Sequence, residues 1–337
     1  MTRRIDRRTF LRGAAAGAAI GVGGGLGLRA LLRDPERWDE QAFEPVTDAR
    51  TAVLSASSYD GPLDELVFDG LRAIGADVRG ANVLLKPNLV EFDPSTAINT
   101  EPRLIAATVV AFRRLGAASV RVGEGPGHRR DVQDVITRSG LAEALGNVEA
   151  PFVDLNAAAI RKVTLRSRYT DLGELWLPIP VLDADILVSM PKMKTHHWAQ
   201  VTLSLKNLFG TLPGRVYGWP KNILHWAGIE PSILDIAGAV RPSYAIVDGI
   251  VGMEGNGPIS GEPIASGVLV VADDPVAADT VGAILMGFDP ERIPYISEAG
   301  RFLGQTDREK ILQRGEEPER LVRSFAPPPS GEGVNAG

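Results

Sequence analysis

The sequence predicts an α/β fold: a mostly parallel sheet with helices on both faces and a small antiparallel excursion. Apolar runs of strand length alternate along the chain with stretches of helical period, the order expected of repeated βαβ units. The strand-like runs are apolar nearly throughout, as strands covered on both faces must be. The 37 glycines and 24 prolines of the 337 residues supply many tight joins between these elements.

The fold is expected to begin near Thr51, where Thr51-Ala-Val-Leu-Ser-Ala reads as a buried strand. An amphipathic helix over Leu63–Ile74 and a second strand starting at Asn82 complete a βαβ opening. The series continues with a helix over Pro102–Leu115, a strand from Ser119, a helix over Val132–Leu145 and a strand from Pro151. Residues 157–177 are polar and turn-bearing, which suits an antiparallel hairpin beside the main sheet. Then follow a strand over Ala184–Met190, a helix over Gln200–Phe209, an irregular region over Gly210–Gly228 and a helix over Ser232–Val240. Strands at Tyr244–Asp248 and Gly267–Ala272 and a helix over Pro275–Met286 close the pattern. The domain organisation expected is a leader over 1–34, a charged linker over 35–50, a single α/β domain over 51–325 and a disordered tail over 326–337.

The leader is distinctive. Arg7-Arg8 precede Phe10-Leu11, and Gly13 to Leu28 is uncharged and rich in small residues, an order that resembles a twin-arginine export signal. The apolar run is shorter than the roughly 20 residues a spanning helix needs. No good cleavage site follows, so a cleaved signal and an uncleaved anchor both remain open. The reading implies an extracytoplasmic protein, periplasmic or at the cell surface, that meets the twin-arginine machinery and touches a membrane only through this segment.

Composition removes several classes of function. A net charge of −6 offers no basic surplus for a phosphate backbone, so nucleic acid is not an expected partner. With no cysteine, disulfides, thiolate metal sites, a cysteine nucleophile and a cysteine-ligated iron–sulfur cluster are excluded. Any metal must use oxygen or imidazole ligands. There is no G-x-S-x-G elbow, which disfavours a serine hydrolase of that type.

Ligands of open α/β sheets sit at the carboxyl ends of the strands, and here those ends are polar. Lys86-Pro87-Asn88 follows the second strand and presents a cation and an amide suited to an anion; an exposed strand end is the competing reading. Glu124-Gly125-Pro126-Gly127-His128 follows the third, with Glu124 a candidate metal ligand and His128 a candidate proton carrier; a plain Gly-Pro turn is the competing reading. The densest group lies between Pro191 and Asn207: Lys192, Lys194, His196, His197, Lys206 and Asn207. Clustered lysines repel one another and call for an anion to offset the cost. Lys86, Asn88, Lys192, Lys206 and Asn207 are therefore candidate substrate-binding residues, and His196, Lys194 and His128 candidate catalytic ones. Asp248 and Glu254, with Glu124, offer oxygens for a divalent metal such as Mg²⁺, Mn²⁺ or Ca²⁺, and His196 or His197 an imidazole that would also suit Zn²⁺; Asx-type turns explain the acids equally well. Asp274 reads as a helix cap, Asp279 is open, and His225 is either packing or part of a lid.

Five segments carry a resemblance to a known family. Lys86-Pro87-Asn88-Leu89-Val90, Pro191-Lys192-Met193-Lys194-Thr195-His196, Leu205-Lys206-Asn207-Leu208-Phe209-Gly210, Asp248 to Gly255 and Asp274 to Asp279 resemble, in order and over roughly residues 51 to 300, the family called domain of unknown function 362. The resemblance implies little chemistry, since the family is largely uncharacterised. Many members carry a ferredoxin-like segment with iron–sulfur clusters; this chain has no cysteine, so that role does not carry over. The function expected is an enzyme acting on an anionic, phosphate- or carboxylate-bearing small molecule, assisted by a divalent metal. The alternative is a noncatalytic protein that captures an anion or a metal outside the cytoplasm.

Overall fold

The computed structural model describes residues 36–127 and 131–328; the twin-arginine segment, His128 and most of the tail beyond Ala326 lie outside them. The first half of the fold runs β1 (Ala49–Ser55), α1 (Leu63–Ala73), β2 (Asn82–Pro87), α2 (Pro102–Arg114), β3 (Ser119–Glu124), α3 (Val132–Arg138), α4 (Leu141–Asn147) and β4 (Phe152–Asp154). An excursion, β5 (Ile160–Thr164) and β6 (Glu174–Pro178), pairs antiparallel as a separate two-stranded sheet. After a short α5 (Ile179–Leu182) the chain re-enters the main sheet as β7 (Ile186–Met190), then β8 (Lys192–His196) and β9 (Gln200–Thr202). Three short helices, α6 (Ser204–Asn207), α7 (Gly214–Tyr217) and α8 (Asn222–Trp226), lead to α9 (Ile229–Val240). The last elements are β10 (Tyr244–Glu254), β11 (Glu262–Ala272), α10 (Pro275–Leu285), α11 (Pro294–Ala299) and β12 (Ile311–Gly315).

The main sheet has the strand order β12-β1-β11-β10-β7-β2-β3-β4. Neighbours along this path are parallel except for β11, which is antiparallel to both β1 and β10. Strand alternation divides the core into two layers. Ala245 and Val247 of β10 with Val268, Val270 and Ala272 of β11 face a layer closed by α9, α10 and α11. Ile246 and Ile250 with Leu269 and Val271 face the opposite layer, closed by α1, α2, α3 and α4. The predicted fold class, helices over both faces of a mostly parallel sheet, is the one observed.

The structure differs from expectation in several places, one of them the linker expected over 35–50, where Trp38 and Phe43 are buried in the core and β1 already starts at Ala49. The helix expected over Val132–Leu145 is broken at Gly140, whose φ of 79° is left-handed. Gln200–Thr202 is a strand, and only Ser204–Asn207 of the expected Gln200–Phe209 helix is α-helical, because β9 turns back to pair with β8. β10 does not stop at Asp248 but runs on to Glu254, with β11 beside it from Glu262. Gly249 and Gly252, which resemble turn signals, are instead strand positions where a Cβ would press on Met193 or Phe325. Pro191 interrupts β7 without ending its path: β8 continues alongside the same strand, with Lys192 opposite Asp248.

One buried carboxylate gathers the turn between β5 and β6. Asp235 of α9 is buried and accepts from the Ser167 hydroxyl (2.7 Å), the Tyr169 N–H (3.1 Å), and the N–H and hydroxyl of Thr170 (2.8 and 2.6 Å). Replacement by alanine strands those donors away from water. Asp235→Ala is expected to lower unfolding stability by about 3 kcal/mol or more, read from urea denaturation, and Asp235→Asn by less because an amide oxygen can still accept.

Candidate functional site

The carboxyl ends of β2, β3 and β8 meet at one cavity of about 270 Å³. One wall is the loop after β2, which contributes Asn88, Leu89 and Val90. That loop is held by Thr100, whose hydroxyl accepts from the Asn88 N–H (2.9 Å) and donates to Met190 O (2.6 Å). Asn99 ties its two sides together through Val90 N–H and Glu91 O. The opposite wall comes from the segment after β9, with Lys206, Phe209, Pro220, Lys221 and His225.

Lys86 and Glu124 form a fully buried ion pair at the floor. The remaining ammonium hydrogens of Lys86 go to Pro87 O (2.8 Å) and Asn207 Oδ1 (2.9 Å). Asn207 is fixed in turn by donating to Lys86 O (3.0 Å) and Ser189 Oγ (3.1 Å). Glu124 also accepts from the Gly125 N–H at 2.8 Å and the Leu89 N–H at 3.3 Å. Gly210 packs so closely that a Cβ there would land on Glu124 Oε1 and Lys86 Nζ. Burial lowers the Lys86 pKa, and Glu124 opposes the shift.

Three further lysines line the cavity, against Glu124 as the one carboxylate among its described lining residues. Lys194 donates to Ile98 O (2.8 Å) and Pro258 O (3.1 Å), and Lys221 to Gly125 O (3.0 Å) and Phe209 O (2.7 Å). Lys206, half-buried, lies 4.1 Å above the Phe209 ring. Burial pushes Lys206 and Lys221 down to about 7, with Lys86 adding repulsion in both cases. Lys194 is pushed well below the ordinary lysine value by burial and then by Lys206, Lys192 and Lys86.

Three imidazoles complete the site. His196 Nδ1 accepts from the N–H groups of Trp198 (3.1 Å) and Ala199 (3.3 Å), which assigns the hydrogen to Nε2. Burial, then Lys206, holds its pKa well below the ordinary imidazole value, so the ring is neutral and acts as an Nε2–H donor. The Nδ1 atoms of His197 and His225 lie 2.9 Å from Gly257 O and 3.1 Å from Lys221 O, so Nδ1 is the donor in each ring and Nε2 is the nitrogen that carries the lone pair in the neutral form. Trp198 stands between them, 4.5 and 5.2 Å from their ring centres, and is 53% exposed at the cavity mouth.

Of the residues expected at a site, Lys86, Asn88, Glu124, Lys194, His196, Lys206 and Asn207 come together here. Lys192, Asp248 and Glu254 do not. Lys192 spends all three donors on Asp248 (2.6 Å), Tyr59 Oη (2.9 Å) and Val251 O (3.1 Å), while Asp248 also accepts from Tyr59 (2.7 Å) and the Glu101 N–H (2.9 Å). Glu254 accepts from the Ala326 N–H at 2.7 Å. Asp248, Glu254 and Glu124 thus have separate partners, and among the described residues no three acids or histidines gather as a metal site. Those three acids do not fit a shared metal.

Lys221 and Trp198 are site residues that pattern reading missed, because neither belongs to a periodic element or a polar run. The one local signal is conformational: Lys221 has a φ of 69°, rare for a lysine and visible only in the folded chain. Asp279, ambiguous in sequence, accepts from the N–H groups of Ser204 (2.6 Å) and Leu205 (3.1 Å) and so holds the start of α6. It is fully buried, and that burial raises its pKa to about 7.

Removing one member of the floor pair leaves a buried charge. Lys86→Met is expected to cost about 3–5 kcal/mol of stability, and a Lys86→Met, Glu124→Leu double variant to recover most of it, measured as a double-mutant cycle in denaturant.

The chain matches the model of a family described as Domain of unknown function (DUF362) over residues 83–284. A thylakoid-associated protein of Synechocystis sp. is 30% identical over 231 residues, spanning 66% of this chain and 68% of that one. Among solved structures, the lactate racemase apoprotein of Thermoanaerobacterium thermosaccharolyticum aligns with a TM-score of 0.46 at 14% identity, over 74% of this chain and 58% of that one. A Thermotoga maritima protein aligns with a TM-score of 0.34 at 12% identity, over 62% of this chain and 55% of that one. The chain therefore spans under two thirds of either solved structure. The family match covers more than half of the sequence and takes in β2, β3, β8 and α6, and the chain belongs to the DUF362 family.

Proposed function

We propose that this chain is an enzyme that binds an anionic small molecule, bearing a phosphate or a carboxylate, in the lysine-lined cavity. One observation carries the reading: four lysines surround a single carboxylate that Lys86 already engages. The uncompensated positive charge favours an anion, and the enclosed setting strengthens that attraction relative to bulk water. Neutral imidazoles beside amines that titrate near neutrality supply the proton-transfer capacity that an inert anion trap would not need. His196 would donate a hydrogen bond to an oxygen of the ligand, and the free Nε2 of His197 or His225 would accept a proton.

Sulfate is a suitable probe because its own charge stays constant across the range of interest. A bound dianion favours protonated Lys206 and Lys221, whose pKa values are lowered to about 7. Below pH 7 both are charged and ready; above it, binding must first take up protons, so affinity falls as pH rises. Calorimetric titration is expected to show tighter sulfate binding at pH 6 than at pH 8.5, by about tenfold per unit above 7 for each lysine involved. Affinity that is flat with pH, or unchanged in Lys194→Met, would remove the anion reading.

We further propose that the twin-arginine segment exports the chain. A Synechocystis relative is named as thylakoid-associated, and among the described residues of this chain no helix is long and apolar enough to cross a membrane. An Arg7→Lys, Arg8→Lys variant is expected to remain in the cytoplasm when cells are fractionated. Unchanged export would exclude this route.

A further inference from the structure

We propose that Lys206 is a nucleophilic amine that forms a Schiff base with the carbonyl of a small 2-oxo acid or an aldehyde bearing an anionic group. The proposal rests on the reading of the cavity as an anion site and adds to it the class of ligand and a covalent step.

The four cavity lysines differ in what their amines touch. Lys86 is held by a carboxylate, an amide oxygen and a carbonyl, while Lys194 and Lys221 each donate to two carbonyls. Those groups are fixed as donors, and in their protonated forms Lys194 and Lys221 each keep one N–H for an anion. Lys206 is different. Among the described residues its Nζ makes no hydrogen bond or ion pair, and it lies over the face of Phe209. An ammonium carries three donors and is costly to hold away from acceptors, so the lack of acceptors around Lys206 Nζ favours its neutral amine. Burial and Lys86 lower its pKa accordingly, to about 7. A free amine with an available lone pair at neutral pH is the requirement for imine chemistry.

The same cavity holds what the remaining steps need. Asn88 Oδ1 and Thr202 Oγ1 line it, are buried, and have no hydrogen-bond partner among the described residues. Two orphaned polar atoms in one cavity point to a ligand with hydrogen-bonding groups of its own. The Nε2–H of His196 is a donor for the carbonyl oxygen. In the step, the Lys206 lone pair attacks the carbonyl carbon and the C=O π electrons move to oxygen. The two hydrogens of the amine pass to that oxygen, one at a time, through the free Nε2 of His197 or His225. The C–O bond then breaks and water leaves, and an N=C bond remains; nothing is oxidised or reduced. A carboxylate on the ligand would take the unused N–H groups of Lys194 and Lys221.

Glyoxylate, the smallest 2-oxo acid, tests this on the full chain. With cyanoborohydride present, an imine is trapped as a secondary amine bearing one carboxymethyl group, located by peptide mass spectrometry. Lys206 is expected to be labelled at least about tenfold faster than exposed lysines such as Lys162 and Lys310, because far more of it is unprotonated at pH 7.5. Its rate should rise with pH through about 7, opposite to sulfate affinity, and sulfate should slow it. Lys206→Arg should keep the thermal unfolding midpoint of the parent chain yet lose the label, which shows an intact fold without the nucleophile. Labelling no faster at Lys206 than at exposed lysines, with sulfate still bound, overturns the covalent role and leaves the anion site standing. Fast labelling of Lys206 without sulfate binding upholds the amine and removes the anion site instead.

Discussion

Burial of ammonium groups at the ends of parallel strands is the constraint that organises this molecule. A lysine side chain taken out of water needs acceptors for three hydrogens, and its neighbours of like charge must be held apart or neutralised. The chain meets that demand locally. Lys86 takes Glu124 across two adjacent strands, Lys192 takes Asp248 across the β8–β10 pair, and Lys194 and Lys221 take carbonyls from loops. Each solution fixes a loop as well as a charge. The wall after β2, the turn at Gly210 and the left-handed backbone at Lys221 follow from where these ammonium groups must find oxygen.

Two lysine systems that look alike in sequence therefore behave differently. Lys192 and Lys194 are two residues apart on one strand, but Lys192 is saturated by Asp248, Tyr59 and Val251 while Lys194 faces the cavity. The difference arises because β10 continues beyond its pairing with β7 and offers a carboxylate opposite the first lysine and Met253 opposite the second.

Much of the fold and part of the site were legible in the sequence. Apolar alternation located the strands of the parallel region, because strands buried on both faces leave an unbroken apolar record. The polar strand ends marked Lys86, Glu124, Lys194, His196 and Lys206, which the fold does bring together. Pairing partners were not legible. That β9 is a strand depends on β8 lying beside it, and that Asp248 is an ion-pair acid rather than a cavity residue depends on the register of β10 against β8. Lys221 and Trp198 lie in irregular backbone where no period exists to read, and Asp279 looks like any helix-interior acid until α6 is seen to begin on its oxygens.

That last contact has a consequence for how such a protein can diverge. α6, which carries Lys206 and Asn207, has no cap of its own; its first N–H groups are met by a side chain from α10, deep in the core and more than seventy residues later in sequence. The cavity cannot be re-equipped by changing the β9–α6 turn alone, since any new turn must still find an acceptor at the same point of the core. Substitutions along α10 that improve packing are constrained in turn by the need to keep one carboxylate in place. Cavity lining and core composition are thus locked together at a single residue, and variation in one must be accompanied by variation in the other.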